Sequence, residues 1–363
     1  MFVSWRELRR DPKRFALVGG VVALIATLAT ILSGLAHGLV SDGISGLRAM
    51  PVTHLAFEQG SHATFSRSTL DASQLKPWIR ERGVQATPIG LTFLNATTGR
   101  GSKIDVALVG VSTDSFAAHL PGADHRGLAD GIILDASTET QDGIELGDTM
   151  QLGASGPELR VAGFADSGSY GHVPIAYVSL EHWQQVVYGN DARGRFSAIA
   201  VRTTDPSAAE RVARATGTEL LTKKAAYAGS PGYAPETLTM TMIRGFLLVI
   251  CALIVGAFFT ILTIQRASQI AVMKAMGASN GFLLRDGIGQ VALLVSIAGI
   301  VGAGLGAAVV AALSTTDAPV SLSASATVQT VIGLVVVSVL GSAVALRRTG
   351  AVEPASALAA REI

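Results

Sequence analysis

Four stretches of this 363-residue chain carry no Asp, Glu, Lys or Arg over lengths that only a membrane readily absorbs: residues 15–40, 245–265, 287–314 and 328–346. A helix needs about 20 apolar residues to cross ~30 Å of hydrocarbon, and each run meets or nearly meets that length. About 200 mixed residues separate the first run from the other three, so the spans group one plus three. Charged residues make up 15% of the chain and hydrophobic ones 49%, against about 25% charge in an ordinary soluble domain. The expected fold is therefore a membrane protein of four transmembrane α-helices (1+3), with a large α+β extracytoplasmic domain between helices 1 and 2.

At ~1.5 Å per residue the first run would extend ~39 Å, more than the hydrocarbon requires. Gly34, His37, Gly38 and Ser41 are small or polar at its outer end, so the helix is expected to continue into the outer aqueous layer. A cleaved leader would also begin with basic residues and an apolar run. Its apolar region would be only about 7–15 residues long, however, and no clean A-x-A site follows here.

Lys and Arg favour the cytoplasmic flanks of short loops, and this fixes the expected orientation. Arg6, Arg9, Arg10, Lys13 and Arg14 precede the first span; Arg266, Lys274 and Arg285 lie between the second and third; Arg347, Arg348 and Arg361 follow the fourth. The loop 315–327 has neither residue. The chain thus reads as a cytoplasmic amphipathic helix at 1–14, spans at 15–40, 244–265, 287–314 and 328–346, and an outer domain at 41–243. A cytoplasmic loop at 266–286, a short outer loop at 315–327 and a cytoplasmic tail at 347–363 complete it. Both termini are expected in the cytoplasm of a bacterial cell. In the N-terminal segment Phe2, Trp5 and Leu8 recur every three residues among arginines, as an interfacial helix requires.

The outer segment alternates short apolar strands with occasional helices, bounded by Gly, Pro or Asp. Strands are expected at 52–57, 85–94, 103–111, 131–134, 149–152, 159–164, 175–178 and 196–202. Helices are expected at 71–81 with an Asp N-cap, at 180–187, and at 206–215 with Asp205 as cap and Pro206 in the first turn. The segment carries 16 Lys and Arg against 21 Asp and Glu. With 28 basic and 27 acidic residues in the whole chain, there is no cationic surplus for nucleic acid. A single cysteine, Cys251, rules out an intrachain disulfide framework and any multi-cysteine metal site.

No G-x-x-x-x-G-K-[ST] loop occurs, so ATP chemistry of that kind is assigned to another polypeptide, and no catalytic residue or cofactor is expected in this one. Carboxylates of the kind that proton-coupled carriers place in the membrane are missing from the spans. The most informative segment is QRASQIAVMKAMGASNGFLLRDGIGQ, residues 265–290. Ile270, Met273 and Met276 or Gly277 recur at helical spacing, and Gly277 followed by Ser279 and Asn280 supplies a helix stop and a fresh N-cap. An apolar stripe exposed to cytosol needs a partner's groove.

Arg266, Ile270, Ala271, Val272, Lys274, Ala275, Gly277 and Ala278 fit the pattern R-x-x-E-I-A-V-L-K-A-L-G-A, with Gln269 in place of the Glu. In this segment, in the one-plus-three arrangement and in the RRTGAVEPASAL tail, the chain resembles the FtsX-like, MacB-type ABC transporter permeases. The N-terminal segment, ATFSRSTLD and SPGYAPETLTMTMI resemble the haem-export branch of HrtB type and its DevC-like relatives. The resemblance implies a homodimer of the permease with two copies of an ABC ATPase subunit, coupled through Arg266, Ile270, Met273, Lys274, Met276 and Gly277. The implied cargo is haem or another amphiphile taken from the lipid bilayer. Haem iron accepts His, Met or Tyr, which nominates His37, Tyr170, His172, Tyr233, Met240 and Met242. Two other activities fit the same architecture: a non-transporting mechanotransmitter or sensor, and an exporter of lipid, lipoprotein or peptide.

Overall fold

The computed structural model describes residues 12–119, 125–129, 131–189, 191, 194–265, 272, 275–316 and 318–349. The expected interfacial helix at 1–14 and the C-terminal tail lie largely outside these residues. The chain divides into two units: residues 1–39 with 237–363, and residues 40–236.

Long helices make up the first unit. α1 (Pro12–Gly43) begins there, and α8 (Tyr233–Gln265), α9 (Asn280–Leu313) and α10 (Ala324–Thr349) supply the rest. Each contains a stretch long and apolar enough to cross a membrane. Leu17, Leu24, Phe246, Leu253, Ile300 and Leu340 are each more than 60% exposed. Water would not tolerate that much outward apolar surface, whereas lipid does.

Small residues let these helices approach. A Cβ on Gly302 would lie 2.1 Å from the Ala23 carbonyl oxygen, and one on Gly306 would lie 2.7 Å from the Thr30 Cβ. Thr27 Oγ1 donates to the Gly302 carbonyl at 3.0 Å. Val22, Ala26, Val255, Val291, Val295 and Leu334 fill the interior between α1, α8, α9 and α10. The segment between α9 and α10 packs on α1 in the same way: Ser321 N–H donates to Gly34 O at 3.1 Å, and a Cβ on Gly38 would meet the Pro319 carbonyl.

α8 starts at Tyr233 rather than at 244, where apolar composition alone places the span. The reason is local. YAPETLTMTMI is too polar to read as membrane, yet Pro235 and Glu236 suit a helix's first turn.

The second unit is built on a ten-stranded sheet. Its strands are β1 (His54–Glu58), β2 (Val84–Thr98), β3 (Lys103–Val111), β4 (Gly131–Asp135), β5 (Thr149–Leu152), β6 (Glu158–Ala165), β7 (Ser169–Tyr170), β8 (Val173–Ser179), β9 (Ala198–Thr203) and β10 (Thr218–Thr222). The order is β10-β1-β9-β2-β3-β8-β4-β6-β5, with β7 on β8 and β5 pairing back onto the far end of β2. β3–β8 and β4–β6 are parallel, and the other pairs are antiparallel.

Side chains alternate between the two faces of the sheet, as the strand period requires. One face carries α3 (Ala72–Arg80), α5 (Leu180–Tyr188) and α6 (Pro206–Thr216), anchored by Trp78, Trp183 and Val212. The other face is covered by α2 (Ser45–Ala49), short 3-10 turns and α7 (Lys223–Ala226), with Phe57, Phe65, Tyr170 and Tyr177 inside. Asp71 and Asp205 cap α3 and α6 as expected, each carboxylate accepting two backbone N–H groups. β7, β10, α2, α4 (Ala136–Gln141) and α7 are absent from that expectation, being two to six residues long and too short to show a period of their own.

Candidate functional site

The two ends of the 40–236 unit meet around the turn between β7 and β8. Gly43, the last residue of α1, accepts from Gly171 N–H at 2.8 Å and from Ser230 Oγ at 2.8 Å. Ser45 Oγ donates to Asp42 O at 2.9 Å and accepts from Ser169 N–H at 2.7 Å. The turn's tip is His172, a non-glycine residue held at φ 65°. This left-handed backbone is uncommon for such a residue, and here it aims the ring. Nδ1 stands 3.0 Å from Asp42 Oδ2, and Nε2 stands 3.1 Å from Glu236 Oε1. Asp42 lies in the last turn of α1 and Glu236 in the first turn of α8. One imidazole therefore bridges the ends of two long helices.

Partial burial pulls the His172 pKa down, but hydrogen bonds and charge from Asp42 and Glu236 outweigh it, so the net shift is upward. In the protonated state both ring nitrogens donate to carboxylates. Loss of the proton leaves two acidic groups facing a neutral ring that has only one N–H.

The nominated haem ligands fall into different settings. Tyr170 is only 2% exposed: its ring stacks on Phe93 and meets Phe65 edge-on, and its hydroxyl donates to Gly229 O at 3.0 Å. Burial pushes its pKa upward. That is the setting of a core residue. Before Tyr170 or His172 could bind iron, each would have to surrender these bonds. Tyr233 is half-buried, edge-on to Tyr227 at 6.2 Å. His37 is exposed on α1, Met240 is half-buried and Met242 is 55% exposed on α8. Tyr170, His172 and Tyr233 belong to one unit, and His37, Met240 and Met242 to the other.

Of the nominated coupling residues, Arg266, Ile270, Met273 and Lys274 lie outside the described residues. Met276 is 77% exposed and the neighbouring Val272 58%, and Met276 N–H donates to Val272 O at 3.0 Å, one helical turn back. Gly277 ends that turn at φ 96°, and Ser279 caps α9 by accepting from Phe282 N–H at 3.2 Å. Residues 277–281 also spell G-x-S-x-G, the pattern of a hydrolase nucleophile. That serine caps a helix here and does not sit on a strand-to-helix elbow.

Two polar residues of α8 carry no recognised role in the sequence alone. Arg244 stands at the edge of the apolar run, and its Nη2 donates to Ser33 Oγ at 2.6 Å across α8 and α1. Glu236 carried no signal beyond its favourable place in a first turn.

Residues 15–218 match the MacB-like periplasmic core domain, and residues 241–354 match the FtsX-like permease C-terminal family. Over its whole length the chain is 22% identical to the hemin transport system permease protein HrtB of Staphylococcus haemolyticus, covering 100% of both chains. It is 25% identical to an uncharacterized ABC transporter permease of Mycobacterium bovis, covering 98% of this chain and 99% of the other. Among solved structures, the periplasmic region of MacB from Actinobacillus actinomycetemcomitans aligns with a TM-score of 0.36 and 15% identity, over 51% of this chain and 94% of that one. The extracellular domain of YknZ from Gram-positive bacteria aligns with a TM-score of 0.34 and 16% identity, over 47% and 98%.

Proposed function

Because the chain belongs to the family of FtsX-like ABC transporter permeases with a MacB-like periplasmic core domain, we propose that it is the membrane subunit of an efflux complex that expels a hydrophobic, membrane-dissolved substrate, with haem as the cargo. The observation that carries the choice of haem is the likeness, end to end, to a permease named for hemin transport. Placement of His37, Met240 and Met242 on α1 and α8 supports it, since sulfur and imidazole on span-bearing helices suit an iron-containing amphiphile.

In this reading two copies of the permease work with two copies of a separate ATPase, and both termini face the cytoplasm of a bacterial cell. ATP hydrolysis in the partner moves the segment 266–286, with Met276 and Val272 seated in the partner's groove. Motion then passes along α8 and α9. The chain's own residues bind the cargo and change its access to the outside; they do no bond chemistry. His37, Met240 and Met242 are the groups that would hold haem.

The test is haemin binding by the permease in lipid nanodiscs, followed by the Soret band. Saturable binding is expected, weakened about tenfold by His37→Ala or Met240→Ala, as loss of one contact to the bound cargo implies, together with haemin sensitivity in cells lacking the permease. No saturable binding and unchanged tolerance would remove haem as cargo. The alternatives would then be a non-transporting mechanotransmitter or sensor, or an exporter of lipid, lipoprotein or peptide.

A further inference from the structure

Arg244 sits where the apolar run of α8 begins, eight residues beyond Glu236 and so ~12 Å farther along the helix. A guanidinium at that depth is costly unless it is paired, and charged side chains within such helices mark functional sites by default. Its pairing within the chain is incomplete. Nη2 donates to Ser33 Oγ at 2.6 Å and reaches Ser33 O at 3.5 Å. Nε is sealed from solvent without an acceptor, and no carboxylate within ion-pair reach of Arg244 occurs among the described residues.

Arginines near span ends commonly stretch outward so that the charge reaches lipid headgroups. Arg244 is held differently. Ser33 is 2% exposed and nine residues before Asp42, ~13 Å down α1, so the hydrogen bond fastens the guanidinium at the level of the helix rather than releasing it toward the surface. What remains is a planar fork of donors, fixed by one serine, whose Nε meets no acceptor within the chain. Carboxylates and phosphates match that fork with two parallel hydrogen bonds.

We propose that Arg244, oriented by Ser33, receives the anionic group, a carboxylate or a phosphate, of an amphiphile that enters the permease from the bilayer. The assignment rests on the reading of the chain as a permease for membrane-dissolved cargo, and it adds that the cargo carries negative charge. Arg244 is then the specificity-determining residue, and Ser33 the positioning residue that holds its donors still.

The experiment uses the full chain in phosphatidylcholine nanodiscs with a spin-labelled stearate, its methyl ester and a spin-labelled phosphatidic acid. The immobilised fraction of each probe reports its association with the protein. Wild type is expected to select at least one charged probe over the ester by about tenfold, the worth of a charge-assisted hydrogen bond. Selection should vanish in Arg244→Gln, survive in part in Arg244→Lys and fall in Ser33→Ala. Preference for stearate alone identifies a carboxylate cargo; equal preference for phosphatidic acid identifies a lipid phosphate at the same site.

Equal association of charged and esterified probes with wild type would overturn the proposal, as would full selection by Arg244→Gln. If Arg244→Gln fails to fold, undiminished selection in both Arg244→Lys and Ser33→Ala overturns it instead. Failure of haemin to bind while stearate selection persists would remove haem and leave Arg244 in its role.

Discussion

His172 reaches across 130 residues of sequence to place Nδ1 3.0 Å from the Asp42 carboxylate. Its second nitrogen meets Glu236, so the end of α1 and the start of α8 share one titratable bridge. Because the folded-state pKa is raised above 6.5, the bridge stabilises the fold fully below that value, and the contribution fades as pH rises through the folded-state pKa.

Wild type should therefore lose more thermal stability than His172→Gln between pH 5.5 and pH 8.5. The residues are partly exposed, so screening keeps the difference to about 2 °C or less. Paired melting curves in nanodiscs measure it. A mutant whose curve runs parallel to wild type across that range would show that the bridge does not titrate there.

Trp183 fills the space above two strands because both Gly90 and Gly110 lack a side chain. A Cβ on Gly90 would fall 2.2 Å from the indole, and one on Gly110 would fall 2.4 Å from the Trp183 Cβ. Gly90→Ala should cost about 1–3 kcal/mol through overpacking. A fall in melting temperature with unchanged membrane insertion is expected; an unchanged melt would mean that the helix above the strands shifts freely.

Within the membrane helices Gly302 lies so close to α1 that a Cβ there would fall 2.1 Å from the Ala23 carbonyl oxygen. Gly302→Val should force α1 and α9 apart and break the Thr27 hydrogen bond, at about 1–3 kcal/mol. Gly304→Val, one turn-face away with nothing within 4 Å, is the matched control. Detergent melting curves should separate the two variants, and equal loss in both would discount the close contact.

Met276 is 77% exposed, so Met276→Glu removes little packing from the chain itself. If the segment docks in an ATPase groove, a buried charge there costs on the order of several kcal/mol. Insertion should be normal and cargo-stimulated ATP hydrolysis lost in the reconstituted complex. Stimulation that survives Met276→Glu would place the docking element elsewhere.

The four spans were legible because length and lack of charge suffice to define them, and Asp71, Asp205, Gly277 and Ser279 were legible because capping chemistry is local. β10 was not: TELLT becomes a strand only by lying beside β1, and its nearest sequence neighbour is a helix. The parallel pairing of β3 with β8 joins strands more than 60 residues apart, beyond any periodicity. The same distance hid the bridge of His172, whose partners lie 130 and 64 residues away. Arg244 was visible as a residue but not as a site, since hydropathy treats a charge as the edge of a span and says nothing of Ser33 opposite it.

The first and last strands of the 40–236 unit are antiparallel neighbours, with His54 opposite Thr222 and Glu58 opposite Thr218. Chain that departs at one point thus returns beside it, as in a loop whose stem happens to be β-structure. A unit with adjacent ends is a cassette: it can be lengthened, recontoured or exchanged for that of another permease without rerouting the helices on either side. Variation in what such a permease meets outside the cell can then accumulate in the cassette while the membrane helices keep their packing.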